Sequence, residues 1–234
     1  MKTLKQNLLL IIISLFFYSC LIDDYGTSDS NIKFITYWKN DIFDSQDFSN
    51  TIFVNNDTLS LKNLSYVISD LKLTSKNDTI NVTDYKLMKS YDSFNINNSN
   101  NEVYQISFNF GIENLNKEYP QLKAQNFDIE NGYYFLKMSF KNKANDSLYN
   151  YNIAKKNINS NVSSFKVTID GFQPSNGYFV SQAVIGLNLK NLLTKTNLIN
   201  LDALTPSSIN DEDLQLKMTE NAENIFFLEA FNYD

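Results

Sequence analysis

The side chains that most often perform chemistry in proteins are nearly absent from this sequence of 234 residues. It contains no His and a single Cys, Cys20, and all 20 of its basic residues are Lys. Without imidazole, the chain lacks the commonest general base and the commonest transition-metal ligand. One thiol cannot build a cysteine zinc site, and the usual nucleotide-binding and serine-hydrolase motifs do not occur. We therefore expect a protein that is not an enzyme.

Carboxylates are more abundant, and two acidic clusters raise the question of a metal site. Asp41, Asp44 and Asp47 recur at every third residue, whereas a calcium loop needs ligands at alternate residues and a Gly. We interpret this cluster as a solvated acidic loop. The run D-E-D at 211–213 follows Asn210, a possible N-cap, and is typical of the first turn of a helix. With 26 acidic residues against 20 Lys, nucleic acid is not an expected partner.

Thioethers and aromatic rings are the remaining candidates for ligand contacts. Met88, Met138 and Met218 carry soft sulfur atoms that suit Cu(I), but two of them lie in strand or helix patterns, which favours core packing. The 18 Phe and 14 Tyr could line a sugar-binding platform, although burial in a core is the commoner fate of such rings.

The first 30 residues have the organisation of an export signal followed by a tether. Lys2 and Lys5 form a positive segment, residues 8–18 are apolar, and Ser19 precedes Cys20. The apolar run is too short for a membrane-spanning helix, so residues 1–19 are predicted to be a signal peptide. Because residues 17–20 resemble a bacterial lipobox, Cys20 is the expected lipidation site and membrane anchor. An ordinary signal peptide with an incidental Cys is the alternative.

Residues 20–30 then form the lipidated Cys and a polar tether. The acidic pair at 23–24 resembles a signal that carries some lipoproteins to the outer surface. The expected location is therefore the outer membrane, on its periplasmic or cell-surface side.

Two alternating strands at the centre of the chain must position any site. In Val103–Phe110 every second residue from Tyr104 is apolar, and residues 132–140 repeat the pattern with Tyr134 and Leu136 on the same face. The loop of about twenty residues between them is long for a hairpin and invites a functional interpretation.

The same period predicts further strands along the chain, each bounded by turn residues. They cover residues 31–38, 51–54, 58–61, 64–73, 79–88, 94–96, 148–154, 165–171 and 180–189. Apolar residues spaced from Leu214 to Leu228 predict one closing helix. The fold class is therefore all-β: an antiparallel β-sandwich of immunoglobulin-like or Greek-key type with a C-terminal helix, formed as one domain by residues 31–234.

Three short motifs follow one another along the chain. Residues 66–73 are Y-V-I-S-D-L-K-L, residues 108–113 are F-N-F-G-I-E, and residues 132–137 are G-Y-Y-F-L-K. In this order they resemble the Y-Y-I-S-N-I-x-L strand, the F-x-I-G-V-D corner and the G-Y-I-F-L-K strand of the MbnP-like copper-binding family, which consists of envelope β-sandwich proteins. The closing helix fits as well, so the resemblance covers about residues 30–231.

The departures from the family pattern fall where its metal chemistry is expected. Where the family has M-Y-W-x-W-N-x-G, this chain places Phe127 and Ile129 at the two Trp positions, and where the family has H-[IL]-G it has Asn152. The resemblance implies copper as the cofactor, and a residual cation site would use Asp70, Glu113 and Asn152. The alternative is a non-metal surface module that binds a glycan, a protein or an outer-membrane transporter.

Overall fold

A computed structural model describes residues 30–38, 41–42, 51–54, 57–75, 78–89, 91–96, 103–156, 164–170 and 180–233. In chain order the strands are β1 (Ser30–Trp38), β2 (Asp41–Ile42), β3 (Thr51–Val54), β4 (Asp57–Ser75), β5 (Thr79–Lys89), β6 (Tyr91–Ile96), β7 (Val103–Phe110), β8 (Asp128–Ile129), β9 (Gly132–Asn142), β10 (Leu148–Lys156), β11 (Phe165–Asp170), β12 (Val180–Asn188) and β13 (Phe226–Tyr233). The helices are α1 (Pro120–Ala124), α2 (Leu189–Thr194) and α3 (Glu212–Ala222), with 3-10 helices at Leu201–Ala203 and Pro206–Asn210. No helix in these ranges is both long and apolar enough to cross a membrane. The signal peptide, Cys20 and the tether up to residue 29 lie outside the described residues.

The strands form two sheets, which confirms the predicted all-β sandwich. One sheet has the order β13-β12-β1-β2, with β6 also paired to β1. The other has the order β10-β9-β4-β7-β11, with β3 and β5 paired to β4 and β8 paired to β9. The pairing is antiparallel throughout these ladders except between β1 and β12, which run parallel.

The long strand β4 organises the second sheet because it pairs with two strands in succession along each edge. Its first residues pair with β3 and β9, and its later residues pair with β5 and β7. The ladder with β7 shifts register between Ser69 and Lys72, where Asp70 adopts a φ of 50°. Asp tolerates this left-handed conformation better than most residues because its short side chain bonds locally.

Aromatic rings fill the space between the two sheets. Phe108 of β7 contacts Phe34 of β1 and Phe226 of β13, with ring centroids 5.4 and 5.0 Å apart. Both contacts are edge-to-face, the arrangement that aromatic quadrupoles prefer. Phe108 and Leu136 are buried, as the alternating pattern predicts.

The closing helix is confirmed, with two corrections. Its N-cap is Asp211 rather than Asn210, because the Asp211 carboxylate accepts a hydrogen bond from the Leu214 backbone N–H at 3.0 Å. The helix ends at Ala222, and the apolar residues up to Leu228 continue into β13 instead. The apolar residues of α3 are followed closely by those of β13 and continue the helical spacing by chance. Periodicity alone therefore places the C-terminal end of the helix too late. The strand predicted at residues 180–189 ends one residue earlier, at Asn188, because α2 begins at Leu189.

Candidate functional site

The loop between β7 and β9 begins at a tightly packed corner. Gly111 has a φ of 89°, and a Cβ at this position would lie 2.5 Å from ring carbons of Phe135. The Gly111 N–H donates to the carbonyl oxygen of Val67 at 2.8 Å, and the Ser69 hydroxyl donates to the Gly111 carbonyl oxygen at 2.7 Å. Only Gly combines this backbone angle with this contact. The backbone angle and the contact with Phe135 therefore account for the Gly of the F-N-F-G-I-E motif at residues 108–113.

Asp70 belongs to the same corner. Its carboxylate is half-buried and accepts a hydrogen bond from the Asn109 side-chain amide at 3.1 Å. This bond joins the irregular step in β4 to the end of β7. Glu113, two residues after Gly111, is exposed.

A β-bulge in β9 then decides which side chains point into the site. Ile153 of β10 pairs with Leu136, but the next residue, Ala154, pairs with Tyr134, so Phe135 is the extra residue. The extra residue reverses the alternation. Tyr134 therefore lies on the face of Lys137, and the prediction that it shares the face of Leu136 is wrong. Phe135 is buried, with its ring against Gly111.

Lys137 places its ammonium over the two rings that this bulge and the loop bring together. Its Nζ lies 5.4 Å from the ring centroid of Phe127 and 4.9 Å from that of Tyr134. It also donates to the Asn126 carbonyl oxygen at 3.2 Å. Burial lowers the pKa of Lys137, because desolvation disfavours the ammonium form. The position that carries the first Trp in the family motif is therefore a buried Phe127 that contacts a lysine.

Asn152 lies directly opposite Lys137 on the neighbouring strand, so both side chains lie on one face. Its backbone carbonyl accepts a hydrogen bond from the side chain of Gln215 in α3 at 2.8 Å. The Gln215 oxygen accepts from the Ala154 N–H at 2.9 Å. Gln215 thus bonds two backbone groups beside the bulge, where the regular ladder is interrupted. Gln215 could not be predicted from the sequence, because nothing in its local pattern marks a buried amide.

The three residues proposed for a cation site are not all brought together. Lys137 also lies opposite Ser65 on β4, and Asp70 is five residues further along that strand. Asn152 and Asp70 are thus two strands and five residues apart, on the order of 15–20 Å at about 4.8 Å per strand and roughly 3.3 Å per residue. A single ion cannot contact both. In the part of the chain that the structure describes, there is no group of three or more Asp, Glu, Cys or His placed to hold a metal ion.

The loop itself encloses a cleft of about 370 Å³ between α1, β8 and the start of β9. The buried and half-buried apolar side chains that line it, Leu115, Tyr119, Ile129 and Tyr133, are called its floor below. The ring of Tyr119 makes edge-to-face contacts with Tyr133 and with Tyr85 of β5, at centroid distances of 5.3 and 4.9 Å. These tyrosines were not singled out from the sequence. The available signal was the length of the loop and its Tyr-Pro step at 119–120.

Burial raises the pKa of Tyr119, and the neighbouring Tyr133 and Asp70 add to the increase. The Tyr119 hydroxyl donates to the Asn114 carbonyl oxygen at 3.1 Å, so it is held as a neutral donor. The Tyr133 hydroxyl donates to the Lys117 carbonyl oxygen at 3.3 Å. Both rings are therefore fixed by their own loop before any ligand arrives.

Comparison with known proteins supports the motif-based resemblance. The family model described as MbnP matches residues 27–211. Among solved structures, MbnP from Methylosinus trichosporium aligns with a TM-score of 0.49 and 10% sequence identity, covering 70% of this chain and 76% of that chain. No curated protein sequence matches significantly. Because the family model covers most of the sequence, the chain belongs to the MbnP family.

Proposed function

We propose that this protein is a cell-envelope lipoprotein whose MbnP-family domain is a non-catalytic, non-metal interaction module. Its binding site is the cleft formed by residues 115–133. The observation that carries the proposal is the position of Lys137, whose ammonium lies against Phe127 and Tyr134 beside Asn152. A metal cation at this place would face a resident positive charge.

The ligand chemistry of the surrounding residues supports the same conclusion. The positions at which the family pattern has Trp, Trp and His carry Phe127, Ile129 and Asn152. None of these side chains supplies an imidazole nitrogen, and the oxygen of an amide is a harder donor than copper prefers. In contrast, the cleft is of the size that small-ligand sites have, roughly 300–1,000 Å³.

Copper titration of the purified full chain tests the absence of metal chemistry. We expect calorimetry with Cu(II), Cu(I) and Ca²⁺ to show no submicromolar binding to the wild type. Asn152→Ala is the matched variant, because Asn152 stands at the family's His position. Submicromolar Cu(II) binding that disappears in this variant would overturn the proposal.

Oxygen-ligated metal binding is the second candidate, and family membership together with the half-buried Asp70 carboxylate favours it. Carboxylate and amide oxygens suit Ca²⁺ or Mg²⁺ better than copper. Micromolar Ca²⁺ binding that is lost in Asp70→Asn would select this candidate. Asp78→Asn is the control, because Asp78 is an exposed carboxylate at the far end of the β4–β5 hairpin.

Membrane anchoring through Cys20 is tested separately in cells. Cys20→Ser is expected to move the protein from the membrane fraction to the soluble fraction and to abolish labelling by a fatty-acid probe. A wild-type protein that takes up no acyl label, and that fractionates like the variant, would contradict lipidation.

A further inference from the structure

The cleft between α1, β8 and β9 has a platform of aromatic rings that are held in place. Tyr119 is 6% exposed, and Tyr133 is half-buried with its ring edge-to-face against Tyr119. Both hydroxyls bond to carbonyl oxygens of the same loop, at Asn114 and Lys117. A ligand that packs on this floor therefore meets rings that lose little further freedom on binding, which favours affinity.

The rim of the cleft combines acceptors with donors. Glu118 and Asp128 contribute carboxylates, Lys123 contributes an ammonium and Asn131 contributes an amide. All four side chains are exposed. In the described ranges the ion pairs are those of Lys86 with Asp92 and Lys141 with Asp146, so none of these rim charges is paired there. The rim can therefore both accept hydrogen bonds from a ligand and donate hydrogen bonds to it.

The charges around the cleft nearly cancel. Glu118 and Asp128 contribute two carboxylates at the rim, whereas Lys123 at the rim and Lys117, whose ammonium lies 5.8 Å from the ring centroid of Tyr119, contribute two positive charges. Neither an anion nor a cation therefore gains a net electrostatic attraction, and Lys117 already occupies the ring face that a cation would seek. A neutral ligand needs no such attraction and can still form hydrogen bonds with the donors and acceptors of the rim.

We propose that this cleft binds a neutral saccharide of one or two sugar rings. A sugar ring has an apolar C–H face, which matches the floor at Tyr133 and Ile129. Its hydroxyl groups both donate and accept, which matches the mixture of carboxylate, amide and ammonium on the rim. The volume of about 370 Å³ is at the lower end for small-ligand sites, so a short ligand fits. This inference rests on the proposed function of a non-metal interaction module.

A glycan array that contains neutral, acidic and amino-sugar glycans tests the inference directly. The full chain is purified in a detergent without a sugar headgroup, so that the detergent cannot compete for the cleft. We expect binding to neutral glycans, with Tyr133→Ala weakening the affinity by at least about tenfold. Tyr91→Ala is the matched control, because Tyr91 is 50% exposed on β6 and does not line the cleft. Its affinity is expected to equal that of the wild type.

The double variant Glu118→Gln/Asp128→Asn keeps the test informative if Tyr133→Ala does not fold. Both side chains are exposed, so their neutralisation is expected to leave the fold intact. It should weaken neutral-glycan binding by about tenfold or more, because charge-assisted acceptors make the stronger hydrogen bonds. Asp213→Asn/Glu223→Gln removes two exposed carboxylates on α3 and its C-cap, and should have no effect.

If the protein binds no glycan on the array, or if neither cleft variant weakens the binding, the inference is overturned. Binding restricted to acidic glycans or to amino sugars would overturn the assignment to neutral saccharides while leaving an interaction module in place. Submicromolar copper binding would remove the proposed function itself, whatever the array shows. The two failures are therefore separable.

Discussion

Two fully buried tyrosines allow a paired test of how much a buried hydrogen bond contributes to stability, because the hydroxyl of one has a partner and that of the other has none among the described residues. Tyr151 donates its hydroxyl to the Leu192 carbonyl oxygen at 2.6 Å. The Tyr66 ring packs near Phe110 and Phe226, and its buried hydroxyl has no hydrogen-bond partner in the described parts of the chain. Replacing each by Phe removes the same atom from an interior site, so the two changes should shift stability in opposite directions.

The magnitudes follow from the cost of a buried polar group. An unpartnered buried hydroxyl costs about 1–3 kcal/mol, so Tyr66→Phe is expected to raise the free energy of unfolding by about 1 kcal/mol after a small packing loss. Tyr151→Phe loses one hydrogen bond and should lower that free energy by about 1 kcal/mol. The Leu192 carbonyl keeps its bond from the Asn221 amide at 2.8 Å, so it is not left unpaired. In a chain of this size, the difference of about 2 kcal/mol corresponds to roughly 4–8 °C in Tm.

Alkaline pH adds a second signature to the same pair. Burial raises the pKa of both tyrosines, and the charge of Asp92 adds to the increase for Tyr66. Above the ordinary value of 10.0, tyrosines of the unfolded chain release protons that the folded chain retains. The unfolded state then binds fewer protons, so stability falls as the pH rises through 10. Each Phe variant should lose part of this dependence.

Urea unfolding followed by far-ultraviolet circular dichroism, at pH 7 and at pH values above 10, measures both effects. Equal destabilisation by the two variants at pH 7 would refute the reasoning, because it would mean that the Tyr66 hydroxyl has a partner. Unchanged alkaline dependence in Tyr66→Phe would refute the contribution of that residue to the pH effect.

Three further changes test the packing that positions the cleft. Gly111→Ala should cost about 2–4 kcal/mol, from left-handed backbone strain and overlap with Phe135. The cost should fall to about 1–2 kcal/mol in a Phe135→Ala background, and an equal cost in both backgrounds in urea unfolding would contradict the overlap. Leu136→Ala should lower the free energy of unfolding by on the order of 2–5 kcal/mol, whereas Leu198→Ala, at an exposed site, should lower it by less than about 0.5 kcal/mol. A circular dichroism spectrum dominated by helix would contradict the β-sandwich fold itself. Gln215→Leu should cost about 2–4 kcal/mol and accelerate hydrogen exchange of the Ala154 amide, whereas unchanged protection of that amide would contradict the role of Gln215 beside the bulge.

The elements that could be predicted from the sequence are those with a strong local period. Strands such as β7 alternate clearly and bury Ile106, Phe108 and Phe110. The second half of β9 alternates as clearly and buries Leu136, Met138 and Phe140. Where two periods meet, as at Ala222, the boundary could not be read, because the apolar residues of α3 run directly into those of β13.

The candidate site was less predictable, because its geometry depends on one inserted residue and on contacts between distant segments. In strict alternation Phe135 would share the face of Lys137 and Ser139, and an aromatic ring on that face does not by itself identify the residue that breaks the pairing of β9 with β10. Yet this one residue moves Tyr134 to the face of Lys137 and places its own ring against Gly111.

The contacts around the bulge hold the scaffold through protein groups alone. Gly111 and Phe135 fit together through steric contact, and Gln215 satisfies backbone groups beside the bulge, so none of these contacts depends on a metal. The side chains of Phe127, Lys137 and Asn152 take no part in these contacts, although Phe127 and Asn152 are themselves buried. A family motif at such a corner indicates the fold, and the side chains on the face of Lys137 must be examined separately to infer function.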